Sequence, residues 1–340
     1  MKRGSGYVLR GRSPRRLALK TAPSNSPLAL VREGYKDEED GGIWKLQAIG
    51  NGLLISVRHT PCLIEGEERM NPGHKKVKRL FKKKERERRR EFIIEGIRAV
   101  REFLEQGGKI KAAFYSQTLL DTPAGMNLIR DLKKRKLPVR LTGKKEFKEI
   151  SGTITPQGLL AVAEKPEYKL QALLKREGVV LVLDRIQDPG NLGTIIRTAE
   201  ASGAAGVILS SGSADPYNPK VVRASAGAVT CLPVLRNQPI REIIKRLKKR
   251  GFRVYAATPG EGKPYDRVRF ASLTALLLGN EAKGIDRSIL SLSDEKVSIP
   301  LYGKTESINV SVAAGILLYW IKQGLRKRAV RTINGSEAVY

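Results

Sequence analysis

Residues 179–199 read VVLVLDRIQDPGNLGTIIRTA, and this stretch decides the fold. Val179 to Leu183 is an uninterrupted apolar run, as expected of a strand covered on both faces of a parallel sheet. Asp188-Pro189-Gly190-Asn191 has the composition of a turn, with Asn191 placed to cap the helix that follows. That helix carries Leu192, Ile195, Ile196 and Ala199 at i, i+3, i+4 and i+7, a single apolar stripe. At about 100° per residue, Arg197 falls about 140° from Leu192 and so faces away from the core, toward solvent or a cleft. An ordinary surface arginine has the same spacing.

Moving outward, Val207 to Leu209, Val254 to Ala256 and Ala275 to Leu278 repeat the strand pattern, and Ile240 to Lys249 reads as a helix between two of them. Residues 175–325 are therefore expected to form an α/β domain with a parallel sheet and helices on its faces. Ligands of such sheets sit at the carboxyl ends of the strands. Upstream, residues 91–168 read as a smaller α/β domain. Its strands are expected at Ala112 to Tyr115, Val139 to Leu141 and Leu159 to Val162, and its helices at Gly125 to Lys136 and Lys144 to Glu149. Phe92-Ile93-Ile94 is a short apolar run ahead of helical spacing at Ile97, Val100 and Leu104. Lys165-Pro166-Glu167 and the polar stretch after it read as a linker.

Charge narrows the function. The 340 residues contain 64 Lys and Arg against 34 Asp and Glu, a formal charge of +30. A field of that size attracts polyanions, nucleic acid first, because neutralising phosphates releases their counterions; a merely solvated basic surface and an acidic membrane are the alternatives. No apolar run approaches the roughly 20 residues that span a membrane. With two cysteines, Cys62 and Cys231, and two histidines, His59 and His74, a disulfide framework and a Cys/His zinc centre are excluded, and no metal is expected. The second half has no histidine, so chemistry there proceeds without the usual general base.

The basic residues are clustered. Residues 75–90 hold eleven Lys or Arg, opposed only by Glu85 and Glu87. Residues 70–90 are read as a phosphate-tracking arm, with a solvated helix as the plainer alternative, and 326–340 as a basic tail. Residues 1–69 show no sustained period and contain the acidic cluster Asp37 to Asp40. Glu65-Gly66-Glu67-Glu68-Arg69, encoded by purine-rich codons, precedes Met70 as a ribosome-binding site would. The native start is therefore expected at Met70, with 1–69 a start-site artefact; a disordered basic arm and a targeting segment are the alternatives.

Two further segments could carry chemistry. Leu278-Gly-Asn-Glu-Ala-Lys-Gly284 is a strand running into a glycine-bounded loop with one acid, Glu281. Ile285-Asp286 follows where a Walker loop needs Lys-Ser/Thr, and the GxGxxG dinucleotide fingerprint is absent. What is left is a loop whose backbone can approach a ligand closely. The other segment is Val297-Ser-Ile-Pro300, then Tyr302-Gly-Lys-Thr-Glu-Ser307-Ile-Asn309-Val-Ser311, ahead of a helix to about Gln323. That helix is apolar nearly all round (Val310, Val312, Ile316, Leu317, Trp320), which places it in a core or a subunit interface. Ser307 and Asn309 could simply cap it.

Together these segments resemble the SpoU (TrmH-like) family of the SPOUT superfamily of RNA methyltransferases. The matching elements are Asn191-x5-Arg197, Gly279-x-Glu281-x2-Gly284, and Ile299-Pro300 followed by Ser307-Ile-Asn309-Val-Ser-Val-Ala-Ala. Each is weak alone; the ordered set over about 150 residues is specific. Phe92-Ile-Ile-Glu-Gly-Ile-Arg98 matches the opening of the family's ribosomal-protein-like substrate-binding domain, and the resemblance spans about Met70 to Gln323.

The resemblance implies a deep trefoil knot in the C-terminal domain and a homodimer with active sites at the interface. It further implies S-adenosylmethionine as cofactor, contacted at Gly279, Ile299 and Ile308, and a polar site of Asn191, Arg197, Glu281, Ser307 and Asn309. Ile308 stands where Leu is more usual. The implied reaction is methylation of a ribose 2′-hydroxyl in structured RNA. Large-subunit ribosomal RNA is the expected target, transfer RNA the alternative, and the cytoplasm the expected compartment. Because a free guanidinium keeps its proton to roughly pH 12, Arg197 is expected to anchor phosphate and stabilise the developing alkoxide rather than act as a base. Three rival readings are a non-catalytic ribosome-assembly factor, a dinucleotide-dependent oxidoreductase and a base methyltransferase. The intact polar set opposes the first, and the missing fingerprint and the positive charge oppose the second. The Asn191/Arg197/Ser307/Asn309 pattern opposes the third.

Overall fold

The computed structural model describes residues 72–153 and 155–335, together with three short strands nearer the amino terminus. The chain divides into two compact units, Met1–Arg69 and Met70–Tyr340. In the first, β1 (Gly34–Lys36), β2 (Gly42–Lys45) and β3 (Arg58–Pro61) pair antiparallel in that order. The sequence shows no period there, because strands of three or four residues are too short to display one. The expected start at Met70 and Cys62 otherwise fall outside the described residues.

The second unit begins with helices α1 (Pro72–Leu80) and α2 (Lys83–Arg89), followed by a four-stranded sheet in the order β4-β7-β5-β6. Its strands are β4 (Glu91–Glu95), β5 (Ile110–Tyr115), β6 (Val139–Leu141) and β7 (Leu159–Glu164). Only the β5–β6 pair is parallel. Helices α3 (Ile97–Glu105), α4 (Pro123–Lys134) and α5 (Lys144–Ser151) complete this lobe. One sheet face packs on α1 and α5 through Val77, Leu80, Phe147 and Ile150.

The basic run is thus two helices seated on the lobe. Arg86 is 1% exposed; its Nε and Nη2 donate to Asp215 at 2.9 and 2.7 Å, and its Nη1 donates to the carbonyls of Leu80 and Phe81. One of the eleven cations is therefore unavailable to phosphate, while Lys75, Arg79, Lys82, Lys83, Lys84, Arg88 and Arg90 stay exposed. The expected linker is likewise part of the structure. Lys165 is buried against Glu87 at 2.9 Å, the Pro166 carbonyl accepts from the Tyr217 hydroxyl, and α6 (Leu170–Leu174) buries Leu170 and Leu173. Leu170 and Leu173 are too close together to reveal a helix by periodicity.

The second lobe is a seven-stranded sheet of order β10-β9-β8-β13-β11-β14-β12 with every pairing parallel. Its strands are β8 (Gly178–Leu183), β9 (Gly206–Ser210), β10 (Val234–Gln238), β11 (Arg253–Ala257), β12 (Lys263–Pro264), β13 (Leu273–Leu278) and β14 (Glu295–Ser298). Alternate strand residues face two cores. Val179, Leu181, Leu183, Leu276 and Leu278 pack under α7 (Pro189–Ala201), α8 (Pro219–Ala224) and α11 (Val310–Gly335). Val180, Val182, Ala275 and Leu277 pack under α6, α9 (Ile240–Lys249) and α10 (Arg287–Leu290). Both faces are covered, which is why the central strands read as unbroken apolar runs. The two lobes share the first core, where Phe92 of β4 meets Tyr217 at 4.9 Å between ring centroids.

No helix among the described residues is long and apolar enough to cross a membrane, and no group of three metal-ligating side chains occurs among them.

Candidate active site

The carboxyl ends of β8, β13 and β14 release three loops into one place. The first, 184–188, ends at Asp188, whose Oδ1 accepts from the Asn191 backbone N at 2.7 Å; Asp188, not Asn191, is the cap of α7, with Pro189 at the first helical position. Proline has no N–H to satisfy and a helical φ, so it starts the helix three residues earlier than the sequence reading has it. With Asp188 as the cap, the Asn191 side chain is released from capping and points at the second loop.

That loop, 279–284, folds back on itself. Asn280 and Gly284 exchange backbone hydrogen bonds of 3.0 and 2.9 Å, and Gly284 takes a φ of +66°. A Cβ on Gly279 would lie 2.3 Å from the Gly284 carbonyl carbon, so only glycine permits this closure. Asn280 fixes the loop to its neighbour: its Nδ2 donates to the Arg185 carbonyl at 2.8 Å, and its Oδ1 accepts from the Ala282 and Lys283 backbones. Asn280 is not among the residues that the sequence motifs single out; an Asn two positions past a strand end, inside a glycine-bounded loop, is the signal that could have found it.

Glu281 gathers the two loops. Its Oε1 accepts from Asn191 Nδ2 at 3.1 Å and from the Asp188 backbone at 3.3 Å, and its Oε2 accepts from Asn280 Nδ2 at 3.3 Å. The third loop joins through Asn309, whose Nδ2 donates to Asn191 Oδ1 at 2.9 Å. Asn309 Oδ1 in turn accepts from the Ser311 backbone and hydroxyl at 2.8 and 2.6 Å. Asn309 therefore does cap α11 and also extends a relay from Glu281 through Asn191. Behind the glycine loop, hydrogen bonds from Ser288, with lesser help from the charges of Arg185 and Arg241, hold the Asp286 carboxyl below the usual carboxylate range.

The three loops enclose a cavity of about 490 Å³. Asn191, Gly279, Glu281, Ile299, Ser307, Ile308 and Asn309 all line it, over a floor that includes Leu278, Val297 and Leu317. Leu301 and Thr258, which the sequence did not single out, line it as well. Arg197 does not. It is exposed on α7, six residues and so about 9 Å along the axis from Asn191. The outward direction expected from helical spacing holds, and within one chain it takes Arg197 away from the cavity.

The lining suits S-adenosylmethionine. In a chain of formal charge +30, the cavity wall has two acids, Glu281 and Glu306, and neither Lys nor Arg. That balance favours a small cation over a phosphate. S-adenosylmethionine, with a sulfonium and an ammonium against one carboxylate, is such a cation. The volume falls within the roughly 300–1,000 Å³ of small-molecule sites, and the apolar floor gives an adenine a surface to lie on. At Gly284 a Cβ would meet open space, so the backbone there is accessible to a ligand.

Residues 178–319 match the model of the SpoU rRNA methylase family, and residues 71–161 match that of the MRM3-like substrate binding domain. Over 256 residues the chain is 36% identical to the 23S rRNA (guanosine(2553)-2′-O)-methyltransferase RlmP of Bacillus subtilis, covering 75% of this chain and 98% of that protein. The AdoMet-bound rRNA methyltransferase from Sinorhizobium meliloti superposes with a TM-score of 0.69 at 30% identity, over 76% of this chain and 97% of that one. The SpoU methyltransferase AviRb from Streptomyces viridochromogenes, in complex with AdoMet, gives a TM-score of 0.68 at 28% identity, over 76% and 100%.

Proposed function

The chain belongs to the SpoU rRNA methylase family, and from that premise we infer that it moves a methyl group from S-adenosylmethionine to a ribose 2′-hydroxyl of large-subunit ribosomal RNA. The observation that carries the reading is the acid-lined cavity, free of Lys and Arg, in an otherwise strongly basic chain. It separates a site for a cationic cofactor from a surface for an anionic substrate.

When bound, the cofactor supplies an electrophilic methyl on sulfur. Glu281, Asn191 and Asn309 hold the three loops in register, so the acceptor ribose meets a preformed wall; positioning of this kind can lower a barrier substantially. The apolar floor excludes water. Arg197 anchors the substrate phosphate and stabilises negative charge growing on the 2′-oxygen. Ser307, exposed among the residues lining the cavity, orients the ribose in this reading.

The same reading includes a trefoil knot and a homodimer with active sites at its interface. The return of the chain from β14 across the cavity to α11, which packs on α7 and β8, supports the knot. Two features support the dimer: Arg197 lies outside its own cavity, and α11 leaves Val312, Tyr319 and Trp320 exposed at 51%, 55% and 36%. Residues 91–168 present the RNA, aided by the exposed cations of α1 and α2. Acting on ribosomal RNA, the enzyme works in the cytoplasm.

The test incubates the full chain with methyl-labelled S-adenosylmethionine and undermodified total RNA, then digests with alkali. Label in alkali-resistant dinucleotides from large-subunit RNA is the expected result. Label in mononucleotides would move the activity to a base, label in small RNA would move it to transfer RNA, and RNA binding without label would leave an assembly factor.

A further inference from the structure

Helix α9 is sharply two-sided. Ile240, Ile243, Ile244 and Leu247 are buried against the sheet. The opposite half carries Arg241, Lys245 and Lys249, all exposed. Spaced i, i+4 and i+8, they form one ridge with steps of about 6 Å along the axis. Like charges at this spacing weaken a helix. None of the three makes a hydrogen bond or ion pair among the described residues, whereas Lys248, off the ridge, is paired with Asp294 at 2.7 Å. The helix's one acid, Glu242, is three residues from Lys245 and four from Arg246 and forms an ion pair with neither. A solvated surface helix usually interleaves its charges; this row has one sign.

Its place in the fold matters as much. The helix follows β10 and precedes the parallel strand β11, so it runs antiparallel to the sheet. Arg241 therefore lies at the carboxyl edge of the strands and Lys249 at the opposite edge. Arg241 is near enough for its charge to act on Asp286, two residues past the glycine loop that lines the cavity.

We propose that the α9 ridge is a track for the phosphate backbone of the RNA substrate, leading from the rim of the active site along the outer face of the methyltransferase lobe. The proposal rests on the reading of the chain as an rRNA methyltransferase. A regular row of single-sign cations fits the repeat of a nucleic-acid backbone, and each phosphate neutralised releases counterions. An acidic protein surface offers no such repeat.

The test compares the full chain with two triple variants: Arg241→Gln, Lys245→Gln, Lys249→Gln, and the same positions to Glu. Binding of a large-subunit rRNA fragment is measured by filter retention between about 50 and 300 mM salt. Methylation kinetics and thermal melting accompany it. The Gln variant is expected to bind RNA on the order of tenfold more weakly at about 0.1 M salt and to lower the salt slope by about 2 to 3. Its KM should rise by more than its kcat falls, and the Glu variant should be weaker still. If the Glu variant fails to fold, the neutral Gln variant decides. Parental affinity and salt slope in a folded variant would overturn the track and leave the ridge to an acidic protein. If the parent binds RNA but transfers no methyl, the reading of the reaction fails, while the slope still decides the ridge.

Discussion

Asn191 is the residue on which the site turns. It stands at the third position of α7, a place where its side chain could have been spent on capping; Asp188 and Pro189 take over that work, and both ends of its amide bridge separate loops. Replacing Asn191 by Ala removes two hydrogen bonds, to Glu281 and from Asn309. At about 1–1.5 kcal/mol each, kcat/KM should fall on the order of tenfold to a hundredfold, read from initial methylation rates, while the melting temperature changes little. Arg197 presents a different chemistry. Its planar fork suits bidentate phosphate, and lysine keeps the charge but loses the fork. Arg197→Lys should lower kcat at least about tenfold; near-parental turnover would remove the guanidinium from the mechanism.

Helix α11 divides its apolar surface between a core and an exposed face. Ala314, Leu317, Leu318 and Ile321 are buried on α7 and the sheet, while Val312, Tyr319 and Trp320 remain in solvent. Gly315 faces Thr198 of α7, with room for a methyl group between them. The all-round apolar character of the helix is thus split between an internal face and an outer one. Introducing Val312→Glu with Tyr319→Glu places two charges on the outer face and leaves the inner one intact. Light scattering after gel filtration should read a dimer for the parent and a monomer for the variant, with kcat reduced because Arg197 no longer meets a cavity. A variant that stays dimeric would place the interface elsewhere.

At the scale of the two lobes, charge joins them, one pair buried and a second group half-buried. Arg86 meets Asp215, and Glu87 pairs with both Lys165 and Arg236, which lie over the Tyr217 ring. The site is therefore held at a fixed offset from the first lobe. Breaking a buried pair from one side is costly, so Asp215→Ala should destabilise by about 3–5 kcal/mol in urea titration. Acid should loosen the same joint. Burial alone would raise the Glu87 carboxyl, but hydrogen bonds and charge from Arg236 and Lys165 outweigh it and bring it from the ordinary 4.5 to about 2. A folded-state value below the unfolded one means the stabilisation is complete above about pH 4.5 and fades as the pH falls toward 2. Melting temperatures across that window should drop less for Glu87→Gln than for the parent.

By itself, the sequence determined the parallel sheet, the α7 stripe and seven of the cavity's residues. Its signals there are local: a five-residue apolar run, helical spacing, a glycine-bounded loop and polar motifs in a fixed order. Tertiary structure alone decided what those residues do to one another. That Glu281 reaches Asn191 across ninety positions, that Asp188 caps in Asn191's place, and that Arg86 leaves the basic run to pair with Asp215 depend on which strand ends meet. Strand order places β13 beside β8 although four strands, β9 to β12, separate them along the chain, and no period in a chain records that adjacency. Long-range pairing is set by packing both sheet faces at once, which only the folded molecule does.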